Sequence, residues 1–372
     1  MNIVFCIKEL SSQGGGAERV LVDVVAGLSA RGHSITVVSS EPQGSMPYYY
    51  LDDSVQRINL NIGDTTVKSN GQDTIRRIIQ FRKTIVMLRP DIVVAFMHSS
   101  YLPIGIGLLG TGIPMIASEH AGPEHYRARP AEWLALQMTP LLAVRTTVVT
   151  QQILDSYNAW LRRHMVVAVN PVSFAAKQRI INLQPDPELE RVLLTVGRLV
   201  PLKNHKCLIA AFAKIAPDFP RWRLRIAGEG ELRAELESQI RQLGLSEKVE
   251  LLGAVSDIGK EYDKADLFVL PSTYESFGLA TAEAIMHGLP AIGFADCPGT
   301  NSLIEHNING LLVTGDDKTQ ALADGLSMLM SSPAELARMS NTPTDKLQSQ
   351  FSIDTVVDVW EKLLYEVAIV QK

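Results

Sequence analysis

The sequence reads as an α/β protein made of two Rossmann-like halves, and three observations lead there. Short apolar runs rich in Val, Ile and Leu alternate with helical patterns along the whole chain. That alternation specifies parallel strands covered by helices on both faces. The runs number roughly a dozen, too many for one compact sheet in a chain of 372 residues. Near 170–190 the periodicity lapses and Pro171, Pro185 and Pro187 fall together, as at a domain boundary. We expect a first domain over 1–172 and a second over 173–352. A C-terminal helix over 353–372 would pack on either half or cross back to the first.

The elements follow in order. Strands are expected at 3–8, 34–39, 55–60, 92–97, 114–118, 146–150 and 166–169, with helices clearest at 17–30, 73–88 and 131–142. The second half repeats the pattern, with strands at 192–196, 223–227, 249–252, 267–270, 291–294 and 311–313. Helices fit 203–216, 231–243, 279–287, 318–330 and 333–348. Trp360, Leu363, Leu364 and Val367 recur at helical spacing in the last segment.

Composition narrows the class. The chain is 46% apolar, as expected of a soluble globular protein, and at 20% charged it is somewhat low in charge. Its three cysteines, Cys6, Cys207 and Cys297, are far apart and fit no zinc or disulfide framework, which points to a reducing compartment. Residues 1–8 read as a strand rather than a secretory signal. The long apolar stretch at 101–117 contains Pro103 and Pro114 among glycines, so it reads as a buried helix and strand, not a membrane span. Net charge is −5, with the negative excess in the second half. No basic tail or aromatic-interleaved basic stripe supports nucleic-acid binding.

The sharpest motif is Tyr-Glu-Ser-Phe-Gly-Leu-Ala-Thr-Ala-Glu, which places Glu275 in a loop after a strand and Glu283 in the following helix. A strand, a glycine-containing loop and a helix N-terminus form an anion site. Carboxylates beside it would repel phosphate but suit hydroxyls of a sugar and a ribose, so the pattern suggests a sugar nucleotide. The matching element earlier, Gly197-Arg198-Leu199 running to Lys203-Asn204, brings two cations to a strand end. Preorganised cations stabilise a diphosphate leaving group more in the transition state than in the ground state; two ordinary surface cations are the alternative. Near the N-terminus, Gly14-Gly15-Gly16 opens the first helix, but Arg19 stands where a dinucleotide fingerprint needs its last glycine. That weakens a nicotinamide-enzyme reading and leaves a ligand-facing loop or a plain tight turn.

Taken together, these motifs resemble family 4 glycosyltransferases of the two-domain GT-B fold, in which two Rossmann-like domains face each other across a cleft. The resemblance also rests on Arg-Gly-His at 31–33, Ser-Glu-His at 118–120 and Ala-Gly-Glu-Gly-Glu-Leu at 227–232. It implies retaining, front-face transfer with closure of the cleft. By position, it implies that Arg198 and Lys203 bind the donor diphosphate and that Glu275 contacts the donor sugar with the backbone of Ser276, Phe277 and Gly278 leading into Leu279. Glu283 would hold the ribose, and Val255 would lie in the loop that holds the base. Gly15 and Gly16 would border diphosphate and acceptor. His120 would lie near the donor sugar, positioning it or acting as a base.

One segment departs from many relatives: Cys297-Pro298-Gly299-Thr300 stands where they carry Gly-Gly. This variant, with Ser118-Glu119-His120, resembles bacterial transferases of O-antigen, capsule and lipid-linked-oligosaccharide assembly, including those moving N-acetylgalactosamine. The expected substrates are UDP-N-acetylgalactosamine and a polyprenyl-diphosphate-linked glycan, met at the inner face of the cytoplasmic membrane.

No two aspartates are separated by a single residue, so the usual DxD metal site is missing and metal-independent transfer is expected, with no cofactor. Arg76, Arg77, Arg82 and Lys83 lie on one helix among apolar residues. That helix would sit on an anionic leaflet or a lipid diphosphate, or would simply be a packed helix with a basic outer face. His98, His125 and the 127–129 segment are candidates for the acceptor side. A UDP-sugar epimerase and a non-catalytic nucleotide-sugar-binding protein are the alternative functions.

Overall fold

The computed structural model describes residues 1–11, 15–63, 71–172 and 189–369. Gly14 and nearly all of the expected 170–190 linker lie outside the described residues. The chain forms two compact units. Unit 1 comprises Met1–Pro171 together with Phe351–Lys372, and unit 2 comprises Val172–Gln350.

Unit 1 holds a seven-stranded parallel sheet. Its strands are β1 (Asn2–Ile7), β2 (Ser34–Ser39), β3 (Gln56–Asn59), β4 (Ile92–Phe96), β5 (Met115–Ser118), β6 (Arg145–Val148) and β7 (Met165–Val167), in the order β3-β2-β1-β4-β5-β6-β7. Every residue of β4 is buried, as a strand covered on both faces requires. Ile3 on β1 pairs with Ile35 on one side and Ile92 on the other, which fixes the register of the central strands.

The C-terminal helix, Ile353–Ile369, belongs to this unit. It buries Val356, Val357, Trp360, Leu363, Leu364 and Val367, and Trp360 stacks on Phe96 with ring centroids 6.0 Å apart. Burial of each such aliphatic side chain stabilises by about 1.5–3 kcal/mol. A polar clasp holds the same helix. Glu361 accepts from Arg31 Nη1 at 3.0 Å and pairs with His33 Nε2 at 2.8 Å, and these contacts hold its carboxyl below the usual range. The Arg-Gly-His signature at 31–33 thus docks the C-terminal helix.

Unit 2 holds a six-stranded parallel sheet of β8 (Arg191–Val196), β9 (Trp222–Ala227), β10 (Val249–Gly253), β11 (Leu267–Leu270), β12 (Ala291–Phe294) and β13 (Gly310–Val313), in the order β10-β9-β8-β11-β12-β13. Its core gathers Leu193, Leu208, Phe212, Trp222, Phe294 and Leu326.

Prolines correct two expected helices. The segment at 131–142 forms Pro130–Leu136 and Thr139–Leu142 instead of one helix. Pro140 has no N–H to continue the first and clashes with the preceding turn. Likewise 333–348 divides into Pro333–Ser340 and Asp345–Phe351 around Pro343. The expected helix at 203–216 starts later, at His205, because Asn204 turns left-handed at φ 54° after a 3-10 turn. Among the described residues no helix is long and apolar enough to cross a membrane.

Candidate active site

In unit 2 the chain leaves β8, builds β9 and β10 on one side, then returns to β11 on the other. Loops diverge at such a reversal, and the crevice at the strands' C-terminal ends is where open α/β sheets bind ligands. The sequence places Arg198 directly after β8 and the 271–278 loop directly after β11. The reversal therefore brings Arg198, Lys203 and Glu275 to one edge.

The β8 loop is laced to the β9 loop. Gly197 N–H donates to Ala227 O at 2.9 Å, Leu199 N–H to Glu229 O at 2.8 Å, and Leu232 N–H to Leu199 O at 3.0 Å. This is why Gly-Arg-Leu and Ala-Gly-Glu-Gly-Glu-Leu work as a pair. Arg198 is exposed at the edge. Its carbonyl accepts from His205 Nε2 at 3.2 Å, so the proton sits on that nitrogen. Burial pushes this imidazole down to about 4, and it stays neutral.

Lys203 closes the 3-10 turn, and its Nζ donates to Glu275 Oε1 at 2.5 Å. Thr273 N–H donates to Leu202 O at 3.0 Å, a second tie between the same two loops. An ammonium has three donors, so Lys203 can hold Glu275 and an anion together.

Two glycines shape the Glu275 loop. Gly278 adopts φ 84°, which lets the loop enter the helix Leu279–Met286 without a side-chain cap over its first N–H groups. Gly299 donates its N–H to Glu275 O at 2.9 Å, and a Cβ there would lie 2.7 Å from the Phe277 backbone. The departure at 297–300 therefore supports the Glu275 loop from behind. Ser276 is half-buried and Phe277 is buried. Glu283 is 5% exposed and accepts from Tyr262 Oη at 2.9 Å. Val255 is half-buried in the loop after β10, which Gly228 N–H to Gly253 O (2.8 Å) holds beside the β9 loop.

Unit 1 has its own reversal, between β1 and β4. Gly15 caps the helix Gly16–Ala30 after β1, and His98 starts the helix His98–Leu108 after β4. Buried Glu41 accepts from Ser11 N–H at 2.7 Å and from Ser39 Oγ at 2.8 Å, tethering the β1 loop.

After β5, Glu119 is fully buried. It accepts from Tyr101 Oη, from Tyr126 Oη at 2.6 Å and from Ala121 N–H at 2.6 Å. Burial still raises its carboxyl above the ordinary value. This clamp fixes the turn that carries His120. Thr147 Oγ1 donates to Ser118 Oγ at 3.0 Å, and the same hydroxyl is hydrogen-bonded to His120 Nε2 at 3.0 Å. The imidazole stacks on Phe96, centroids 5.0 Å apart, and burial pushes it down to about 4. His120 is therefore a neutral ring.

Nearby, His98, His125 and Glu132 bring one ligand atom each within 4.8 Å of one another, and burial lowers both imidazoles.

The basic helix, Gly71–Leu88, differs from the expected basic outer face. Arg77 is 4% exposed and points into the unit, where desolvation lowers its guanidinium. Arg82 Nη1 donates to the carbonyls of Gly107 and Leu109 and so caps the neighbouring helix. Arg76 and Lys83 face out together with Ile75, Ile79, Val86 and Met87. A groove of about 900 Å³ runs beside them, lined by Ile79, Arg82, Lys83, Val86, Met87 and Ile113.

Several supporting residues carried no readable signal. Tyr262 reaches Glu283 across 21 positions and Glu41 reaches Ser11 across 30, distances that no local spacing encodes. His205 and Tyr126 act across seven positions, beside the recognised Lys203-Asn204 and Ser118-Glu119-His120 motifs.

The chain matches the family model "Glycosyltransferase Family 4" over residues 14–175 and "Glycosyl transferases group 1" over residues 177–344. It is a family 4 glycosyltransferase, an enzyme with two Rossmann-like domains of GT-B type. Among curated relatives, it is 26% identical over 99% of both chains to a Campylobacter jejuni α-1,4-N-acetyl-D-galactosaminyltransferase named for GalNAc-α-(1→4)-GalNAc-α-(1→3)-diNAcBac-PP-undecaprenol. It is 23% identical to an uncharacterised glycosyltransferase of Haemophilus influenzae, over 97% of this chain and 99% of that one.

Among solved structures, sucrose-phosphate synthase from Thermosynechococcus elongatus superposes with a TM-score of 0.82 at 18% identity, covering 100% of both chains. HepE from Anabaena, in complex with UDP and glucose, gives 0.79 at 20% identity, covering 98% of this chain and 99% of that one. At these identities the likeness is one of fold.

Proposed function

We propose that this enzyme transfers N-acetylgalactosamine from UDP-N-acetylgalactosamine to a polyprenyl-diphosphate-linked glycan, with retention at the anomeric carbon and without a metal. The observation that carries the reading is the pairing of Lys203 with Glu275 beside exposed Arg198, at the strand-order reversal of unit 2. The glycan class is supported by the name of the Campylobacter relative.

In this reading Arg198 and Lys203 take up charge on the departing diphosphate, and the N-terminus of helix 279–286 adds its dipole. Glu275, held by Lys203, accepts from sugar hydroxyls, and Glu283, braced by Tyr262, accepts from the ribose. The acceptor hydroxyl attacks from the face that the diphosphate leaves and passes its proton to that phosphate. His120 stays neutral, and a base of pKa about 4 is too weak to deprotonate a hydroxyl at neutral pH, so its role is one of positioning.

Membrane contact at the inner leaflet is part of the proposal. Arg76 and Lys83 would meet anionic headgroups, and Ile75, Ile79 and Met87 would enter the interface. Sedimentation with anionic vesicles should weaken in an Arg76→Gln/Lys83→Gln variant, and equal binding would remove this element.

The deciding experiment incubates the enzyme and EDTA with UDP-sugars and a polyprenyl-diphosphate glycan. The expected product is one added N-acetylgalactosamine in α linkage by NMR. Turnover only after manganese is restored would overturn the metal-free claim, and a β product the retaining one. A new sugar nucleotide formed from donor alone would identify an epimerase instead.

A further inference from the structure

We propose that His98, His125 and Glu132 of unit 1 form a binding site for a divalent transition-metal ion of the zinc class, held in competition with Arg129. Two imidazoles and a carboxylate are a zinc donor set that leaves positions open for water or an anionic oxygen. Tetrahedral ligands about 2.0 Å from zinc lie about 3.3 Å apart. His98 Nε2 and Glu132 Oε2 are already 3.4 Å apart, and all three ligand atoms fall within 4.8 Å.

The place already attracts a cation. Arg129 Nη1 lies 2.8 Å from His125 Nε2 and 3.5 Å from Glu132 Oε2, so the guanidinium bridges two of the three ligands. A metal would displace it, and Arg129 is 49% exposed, with room to leave. The framework around the ligands is firm. His98 starts a helix, and His125 packs edge-on to Tyr126, whose hydroxyl is fixed on buried Glu119. The site belongs to unit 1, and the proposed diphosphate cations, Arg198 and Lys203, belong to unit 2.

The test is calorimetric titration of zinc chloride into EDTA-stripped, desalted protein, with cobalt absorption as a second probe of the coordination sphere. One equivalent should bind. His98→Ala and isosteric Glu132→Gln should each weaken it about 100-fold. Arg129→Ala should tighten it about tenfold, because the competing cation is gone. His164→Ala, elsewhere in unit 1, should change nothing. Circular dichroism would check the fold of each variant, and Glu132→Gln, on a partly exposed helix, is the one least able to disturb it. Absence of saturable binding, indifference to both ligand variants, or weaker binding in Arg129→Ala would each overturn the proposal.

Discussion

The two units solve the same topological problem with opposite chemistry. Each is a parallel sheet whose strand order reverses beside its first strand; unit 2 carries Arg198, Lys203 and Glu275 in the loops at that reversal, while in unit 1 Glu119 and His120 follow β5, one strand further on. In unit 2 the loops carry charge at the surface: Arg198 is exposed, and Lys203 and Glu275 form an ion pair at 12–20% side-chain exposure. In unit 1 the charge is driven inward. Glu119 lies under two tyrosines, Arg77 is buried, and His120 is neutral against Phe96. A diphosphate needs fixed counter-charge, whereas a sugar hydroxyl needs a neutral, oriented donor. Under the proposed function, unit 2 would supply electrostatics and unit 1 positioning.

The largest expected effect tests the electrostatic half. Arg198→Ala should lower transfer by about 10²–10³-fold and abolish the thermal shift given by UDP. Retention of that shift would place the diphosphate elsewhere. Next comes the positioning half. Glu119→Ala leaves two buried tyrosine hydroxyls unmatched and should destabilise by about 2–3 kcal/mol in denaturant melts, yet keep the UDP response. Loss of UDP binding in that variant would dissolve the division.

A third, smaller effect concerns shape. Gly299→Ala places a methyl 2.7 Å from the Phe277 backbone, which must shift, and so should displace the Glu275 loop, cutting transfer about tenfold and destabilising by about 1–3 kcal/mol. Normal turnover would mean the loop yields without consequence.

The smallest effect is one the units share. His120 and His205 both fall from 6.5 to about 4 on folding, so the unfolded chain binds more protons between those values. The stability they provide is complete above pH 6.5 and is lost as pH falls toward 4. In melts across that range, His205→Asn should show a shallower loss than the parent, and an unchanged slope would remove this account.

Much of this was legible beforehand because strands and helices announce themselves through local periodicity. Among the described residues, all thirteen strands lie within a few residues of their expected positions. The misreadings came from single residues that override a pattern. Pro140 and Pro343 broke helices whose apolar spacing continued through them, and Asn204 delayed another. The basic helix failed differently. Its charges were read as one outward face, but Arg77 sits on the helix side that also carries Phe81 and Ile85, so packing took it inward.

By itself the sequence determined the two α/β halves, the loops that carry Arg198, Lys203, Glu275 and His120, the helix that carries Glu283, and the family to which the chain belongs. These rest on local patterns and on motifs of ten residues or fewer. Only the tertiary structure decided that Lys203 holds Glu275 across 72 positions, that Arg31 and His33 clasp Glu361, and that Glu119 is a buried clamp. Such contacts depend on which strands lie side by side and which faces turn inward. Those are settled by burying the whole core at once, and no window of sequence records them.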